Sequence, residues 1–180
     1  MSSAPHPSPP ATPAPPSPAP APEETFQPVA AVLAAIFPGA GHFCLGEARR
    51  GALIAAGVLG MFFGGLLIGG IGVVDRRDNF IWFMGQALVG PIAFGVDAAH
   101  QSMFKVIDRG GNPRPARPDE GRDGKGQIIY GGTPPYTRSL GRVHELGTLF
   151  ATIAGMMNLI CIIDASFYAA RSRRRDGGAR

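Results

Sequence analysis

Residues 51 to 74 form a run of 24 residues with no charge and no proline. As a helix the run is about 36 Å long, and a bilayer's hydrocarbon core is about 30 Å thick. A helix buried in a soluble core needs an apolar stripe, whereas this run is apolar all round. It therefore reads as a membrane crossing with some tilt. Residues 146 to 163 are also uncharged, and residues 80 to 96 nearly match them. The expected fold is all-α: a polytopic membrane helical bundle with four apolar segments at 28–46, 51–74, 80–100 and 145–170. A polar loop, 101–144, separates the last two. Residues 1–25 read as a proline- and alanine-rich tail and residues 171–180 as a basic one.

Composition supports this class. Mean hydropathy is only +0.10 because polar tails dilute the apolar runs. A soluble domain would have to bury three apolar segments with few amphipathic helices to cover them. The formal charge is +4, and the basic residues, mostly arginine, lie at segment ends and in loops, where membrane proteins carry them. No basic helix or aromatic–basic array is present, so nucleic acid is not an expected partner. Cys44 and Cys161 sit inside apolar segments without a CxxC partner, which favours small packing residues over a disulfide. The sequence before Cys44, Gly41-His42-Phe43, is not a lipoprotein cleavage box, so lipidation is not expected. Ten of the first 22 residues are proline, a composition that forms neither helix nor sheet. It predicts a disordered, extended spacer, with a proline-rich ligand for a partner as the rival reading. With no basic n-region, it is not a secretory signal.

The first segment is interrupted at Pro38, Gly39 and Gly41. Proline lacks the amide hydrogen and glycine adds freedom, so a kink or a turn is expected. Either a kinked helix crosses the membrane, or the segment dips in and returns against protein; the kinked crossing is slightly preferred. Residues 47–50 and 75–79 form tight polar connections, with Phe80, Trp82 and Phe83 placed for an interface. Within the long loop, residues 127–130 suggest a brief ordered patch. On a four-span reading the basic residues divide seven to ten between the two sides. This favours the long loop in the cytoplasm, but the dense arginine cluster of the C-terminal tail argues the other way. Sidedness stays open.

Ala52, Ala56, Gly60 and Gly64 recur every four residues and share one stripe of the second helix. Gly65 and Gly69 offer a second small pair, and Gly147, Ala151 and Gly155 make a similar stripe in the fourth segment. Small residues let helix backbones approach closely. Packing within the chain is the preferred use of these faces, with homo-oligomerisation as the alternative.

The polar residues at membrane depth are His42, Gln86, Asp97, Asn158 and Asp164. Such groups are costly in lipid and face protein or a wet cavity. Six residues separate Asp164 from Arg171, so a helix-end residue paired with arginine is its plain reading. Asp97 and His100 are helical neighbours, and a satisfied structural pair outweighs a pH-sensitive one. The GxGD arrangement of intramembrane aspartyl proteases is absent, because Asp97 follows Phe94-Gly95-Val96. There is no HExxH, GxSxG, Walker loop or GxGxxG, and the four histidines do not cluster at metal-ligand spacing. No enzyme chemistry, cofactor or metal is expected.

Residues 37 to 46, FPGAGHFCLG, resemble the end of the first span in the two-transmembrane-segment domain family, which also carries an aspartate late in its last span, where Asp164 stands. Cys44 replaces a usual aromatic, the basic residue after the histidine is missing, and two extra apolar segments intervene. The chain is more similar to an uncharacterised bacterial family of small multi-pass proteins. That family pairs a PGAGHFYLG-like opening with closing motifs matched here by residues 145–150, 154–160 and 163–165. The resemblance covers about residues 28 to 170 and implies the bacterial inner membrane, without supplying an activity. The leading expectation is a non-enzymatic structural or accessory membrane component, with the lipid bilayer and a membrane-protein partner or second copy as its contacts. The rival is a small transporter or channel subunit using His42, Asp97, Asn158 and Asp164 in a wet cavity.

Overall fold

The computed structural model describes residues 26–139 and 141–167; the expectations for residues 1–25 and 168–180 lie outside that range. The helices are α1 (Pro28–Ile36), α2 (Ala40–Cys44), α3 (Ala48–Gly69), α4 (Phe80–Ala87), α5 (Pro91–Ala99) and α6 (Arg142–Ser166). A 3-10 turn at Ile71–Val73 follows α3, and a π turn at His100–Phe104 follows α5.

Among the described residues, only α3, with 22 residues, and α6, with 25, are long and apolar enough to cross a membrane. Just 22% and 33% of their apolar windows are buried, where the core helix of a soluble protein would be mostly covered. Leu67 and Ile160 on these helices are 88% and 66% exposed. The two run antiparallel and cross at glycines. A Cβ on Gly65 would stand 2.6 Å from the Gly147 carbonyl oxygen, and a Cβ on Gly147 would stand 2.7 Å from Gly69 Cα. Backbones this close gain dispersion contacts that bulkier residues would forbid.

The α6 stripe packs as its spacing implies: Gly147 and Ala151 meet α3, and Gly155 lies against Gly85 of α4. The longer stripe on α3 does not pack within the chain. Ala52, Ala56 and Gly60 are exposed, and a Cβ at Gly60 or Gly64 would meet nothing within 4 Å. Each residue turns a helix by about 100°, so the face carrying Gly65 and Gly69 is a different one, and that face meets α6.

The first apolar segment is not one kinked helix. Pro38 cannot continue the hydrogen-bond ladder of α1, and Gly39 takes a left-handed conformation at φ 84°. α2 then folds back: a Cβ on Gly41 would strike the Ala30 carbonyl and stand 3.0 Å from Ala34 Cβ. Both ends of this hairpin lie beside the end of α6, since the Gln27 amide donates to the Ser166 carbonyl at 2.8 Å and Arg50 Nη2 lies 2.8 Å from Asp164.

The third segment is not one long helix either. α4 stops at a turn where Gly90 has φ 111°, and Pro91 opens α5 in the first-turn position that suits it. α5 returns toward the start of α4. Phe83 and Phe94 meet edge to face at 5.3 Å, and Asp97 Oδ1 accepts the Arg76 amide at 2.8 Å. The four expected crossings therefore resolve into two long helices and two helical hairpins that enter from opposite ends. The hairpin tips meet: a Cβ on Gly90 would lie 2.8 Å from the Ala35 carbonyl oxygen.

The all-α expectation also needs correction in the loop. β1 (Val106–Ile107) pairs with β2 (Pro113–Arg114), and β3 (Glu120–Arg122) pairs with β4 (Ile128–Tyr130), both antiparallel. Asp108 accepts the amides of Gly110 and Asn112, and Asp123 those of Lys125 and Gln127, so each hairpin turns on an aspartate. Arg114 joins the two ribbons through a bidentate pair with Glu120 at 2.6 and 2.7 Å. That guanidinium, with the Arg117 amide, pulls the Glu120 carboxyl down from 4.5 to about 2.

Two predictions follow from these contacts. Gly147→Leu should lower stability by upwards of about 2 kcal/mol through overpacking against backbone, while Gly60→Leu leaves the melting temperature in detergent unchanged. Equal effects would contradict the crossing. A depressed carboxyl stabilises the fold above its unfolded value and loses that contribution as pH falls toward its folded value. Protection of the Ile128–Tyr130 amides, measured relative to intrinsic exchange at each pH, should therefore fall between about pH 4.5 and 2, and Glu120→Gln should remove that fall.

Candidate functional site at the hairpin junction

Asn158 stands on α6, eight residues or about 12 Å before its end, and it is fully buried. Its position is explained by what Pro38 lacks. In a continuous helix the amide of residue 38 would bond the carbonyl of residue 34, and proline has no amide to offer. Asn158 Nδ2 donates to that orphaned Ala34 carbonyl at 3.3 Å. The same amide donates to the Leu88 carbonyl at 2.8 Å, at the end of α4. One side chain thus ties both hairpin tips to α6. Gln86 is equally buried and spends its Nε2 on the Val73 carbonyl at 3.0 Å. The amide oxygens of Asn158 and Gln86 are buried without a hydrogen-bond partner.

The other polar residues flagged in the sequence do not join this junction. His42 is buried on α2, and its Nε2 lies 2.7 Å from Asp164 Oδ2. Arg50 Nη2 reaches the same oxygen at 2.8 Å. Asp164 is 41% exposed, so this is a helix-end carboxylate between a histidine and an arginine.

Asp97 belongs to the opposite end, about 33 Å away along α3. It accepts the Arg76 amide at 2.8 Å and Gln101 Nε2 at 3.1 Å. The expected pairing of Asp97 with His100 does not form. The backbone stays helical through His100, so the spacing is present, but Asp97 turns to the Arg76 amide and Gln101 instead. The nearest carboxylate to His100 is Asp75, at 3.6 Å.

A buried ion network that the sequence did not reveal organises this end. The Lys105 side chain is fully buried and pairs with Asp75 at 2.7 Å and Asp78 at 3.0 Å. Asp75 also accepts the amides of Arg77 and Asp78 and the side chain of Gln101. Burial raises the Asp75 carboxyl, but Lys105 and these donors together hold it below its ordinary 3.8. Lys105 is one of only two lysines in an arginine-rich chain, which is the one sequence signal that could have singled it out. Tyr136 lies edge to face against His100 at 5.6 Å and closes over Gly72, anchoring the loop to the end of α3. The four polar residues thus sit in three separate places and do not line one shared cavity. Among the described residues, no three histidine, cysteine or carboxylate side chains converge as metal ligands.

A model of a family of unknown function, DUF6677, matches residues 29–176, a stretch that takes in both hairpins, both long helices and the loop between them. The chain belongs to this family. No curated protein and no solved structure matches it. Membership in DUF6677 agrees with the uncharacterised-family resemblance and carries no activity to transfer.

The junction yields a direct test. Asn158→Leu removes the donor shared by two buried carbonyls, at about 1–3 kcal/mol for each acceptor left unsatisfied. The variant should melt well below the wild type in detergent. An unchanged melting temperature would mean that the hairpin tips are held by something else.

Proposed function

We propose that this DUF6677 protein is a bacterial inner-membrane protein whose α3 and α6 cross the bilayer while its two hairpins re-enter from opposite faces. In this reading it serves as a non-enzymatic structural or accessory component. The observation that carries the role is the use of Asn158 and Gln86: both give their amide groups to backbone carbonyls. Polar groups within the bilayer are thereby spent on holding the fold. Exposed apolar residues such as Leu67, Ile81 and Ile160 suit contact with lipid tails. The outward stripe of Ala52, Ala56 and Gly60 suits close approach by a helix of another chain or a second copy.

A transporter or channel is the second reading, and one observation favours it. Discontinuous helices that meet inside the membrane from opposite sides are a recurring feature of transport folds, and the α1–α2 and α4–α5 hairpins meet in that way. Purification with native lipid retained, followed by complex mass and identification of bound chains, separates the two. The accessory role predicts a stoichiometric partner chain or a defined homo-oligomer, lost in Gly60→Leu. A monomer that conducts ions or protons in vesicles, and stops conducting in Asn158→Ala, would replace it with transport.

A further inference from the structure

We propose that a cleft at the loop end of α6 binds the phosphate headgroup of an anionic membrane phospholipid, an inference that rests on the membrane reading above. The cleft holds about 700 Å³ between the start of α4 and the first two turns of α6. Its polar wall is Arg138, Arg142 and His144, and its apolar wall is Trp82, Leu146 and Leu149.

The polar wall is set for an anion. No carboxylate pairs with either guanidinium among the described residues, although Glu145 also borders the cleft. Arg138 Nη2 lies 3.0 Å from His144 Nε2. A guanidinium can only donate, so Nε2 accepts and the ring proton sits on Nδ1. His144 is 7% exposed, and its Nδ1 has no partner. Arg138 is thus held in place by a neutral acceptor rather than by an ion pair. α6 is entered at Gly141 without a side-chain cap, and its first turn carries one acidic residue, Glu145, at the positive end of the helix dipole. Two guanidinia at a helix start match the planar, multiply accepting geometry of a phosphate.

The apolar wall selects a lipid as the source of that phosphate. Trp82, Leu146 and Leu149 are each more than 40% exposed, and Ile153, Met156 and Ile160 continue the exposed line along α6. Positions 149, 153, 156 and 160 follow helical spacing and share one face, giving an acyl chain a continuous track away from the headgroup. Tryptophan and arginine are also the side chains suited to the level of lipid headgroups.

Trp82 is the only tryptophan in the chain and lies in the cleft, so the site carries its own reporter. The full-length protein in maltoside detergent is titrated with dibrominated phosphatidylglycerol while Trp82 fluorescence is followed. Saturable quenching is expected, with its midpoint raised about tenfold by Arg142→Gln, through loss of a charge-assisted contact. Arg49→Gln, at the opposite end of α3, should leave it unchanged. The Arg142 guanidinium bonds no other group among the described residues, so this variant keeps its fold, which an unchanged melting temperature checks. Quenching that does not saturate, or that Arg142→Gln leaves unaltered, overturns the site. Displacement of the lipid by millimolar inorganic phosphate overturns the lipid assignment in favour of a soluble anion. Retention of the protein in carbonate-washed membranes is scored separately. Its loss defeats the membrane reading itself, whereas retention with unsaturable quenching defeats only the cleft.

Discussion

A missing amide governs this structure. Pro38 cannot satisfy the Ala34 carbonyl, and an unsatisfied carbonyl inside an apolar layer costs several kcal/mol. The chain answers from 124 residues away, with Asn158 on the last helix. Because that amide also reaches Leu88, the two hairpins cannot be placed independently of each other or of α6. The glycine crossing of α3 and α6 sets the frame into which they fit. Irregular backbone at this level is tolerated because it is enclosed by protein and supplied with partners.

The two ends of the molecule use different chemistry for the same purpose. At the Ser166 end, His42, Arg50 and Asp164 join α2, the start of α3 and the end of α6. At the other end, Lys105 enters the protein to meet Asp75 and Asp78, and Tyr136 closes over Gly72. A buried lysine is strongly destabilising if either partner is removed, so the loop is fastened by its first residue after the π turn. The short β-ribbons follow that anchor, clamped to each other by Arg114 and Glu120.

The sequence announces α3 and the core of α6 clearly, because an unbroken apolar run of helical length has few other uses. The segment at 80–100 misleads because hydropathy averages over Gly90-Pro91, where a positive φ and a proline together turn the chain back. For residues 28–46 the break was readable at Pro38-Gly39, but its direction was not. Whether a helix kinks or reverses depends on what Gly41 touches, and Ala30 and Ala34 are tertiary contacts. The stripes show the same limit: spacing identifies small faces, while only the partner helix decides that Gly65 and Gly69 pack and that Ala52, Ala56 and Gly60 do not. Asn158 and Asp164 stood out as polar residues in an apolar run, yet their partners lie 70 to 124 residues away in sequence. Strands of two or three residues are too short to print an alternating pattern.

The central claim is that two hairpins and two long helices replace four crossings, and sidedness decides it. If residues 28–46 reverse, Phe26 and Arg49 lie on the same face of the membrane; if they cross, on opposite faces. Cys44 and Cys161 are first replaced by alanine, and single cysteines are then introduced by Phe26→Cys, Arg49→Cys, Arg77→Cys and Arg109→Cys. A membrane-impermeant maleimide is applied to intact cells and to inverted vesicles. The account predicts that positions 26 and 49 label from one face and positions 77 and 109 from the other. Labelling of 26 with 77 from one face, and of 49 with 109 from the opposite one, would restore four crossings and contradict it.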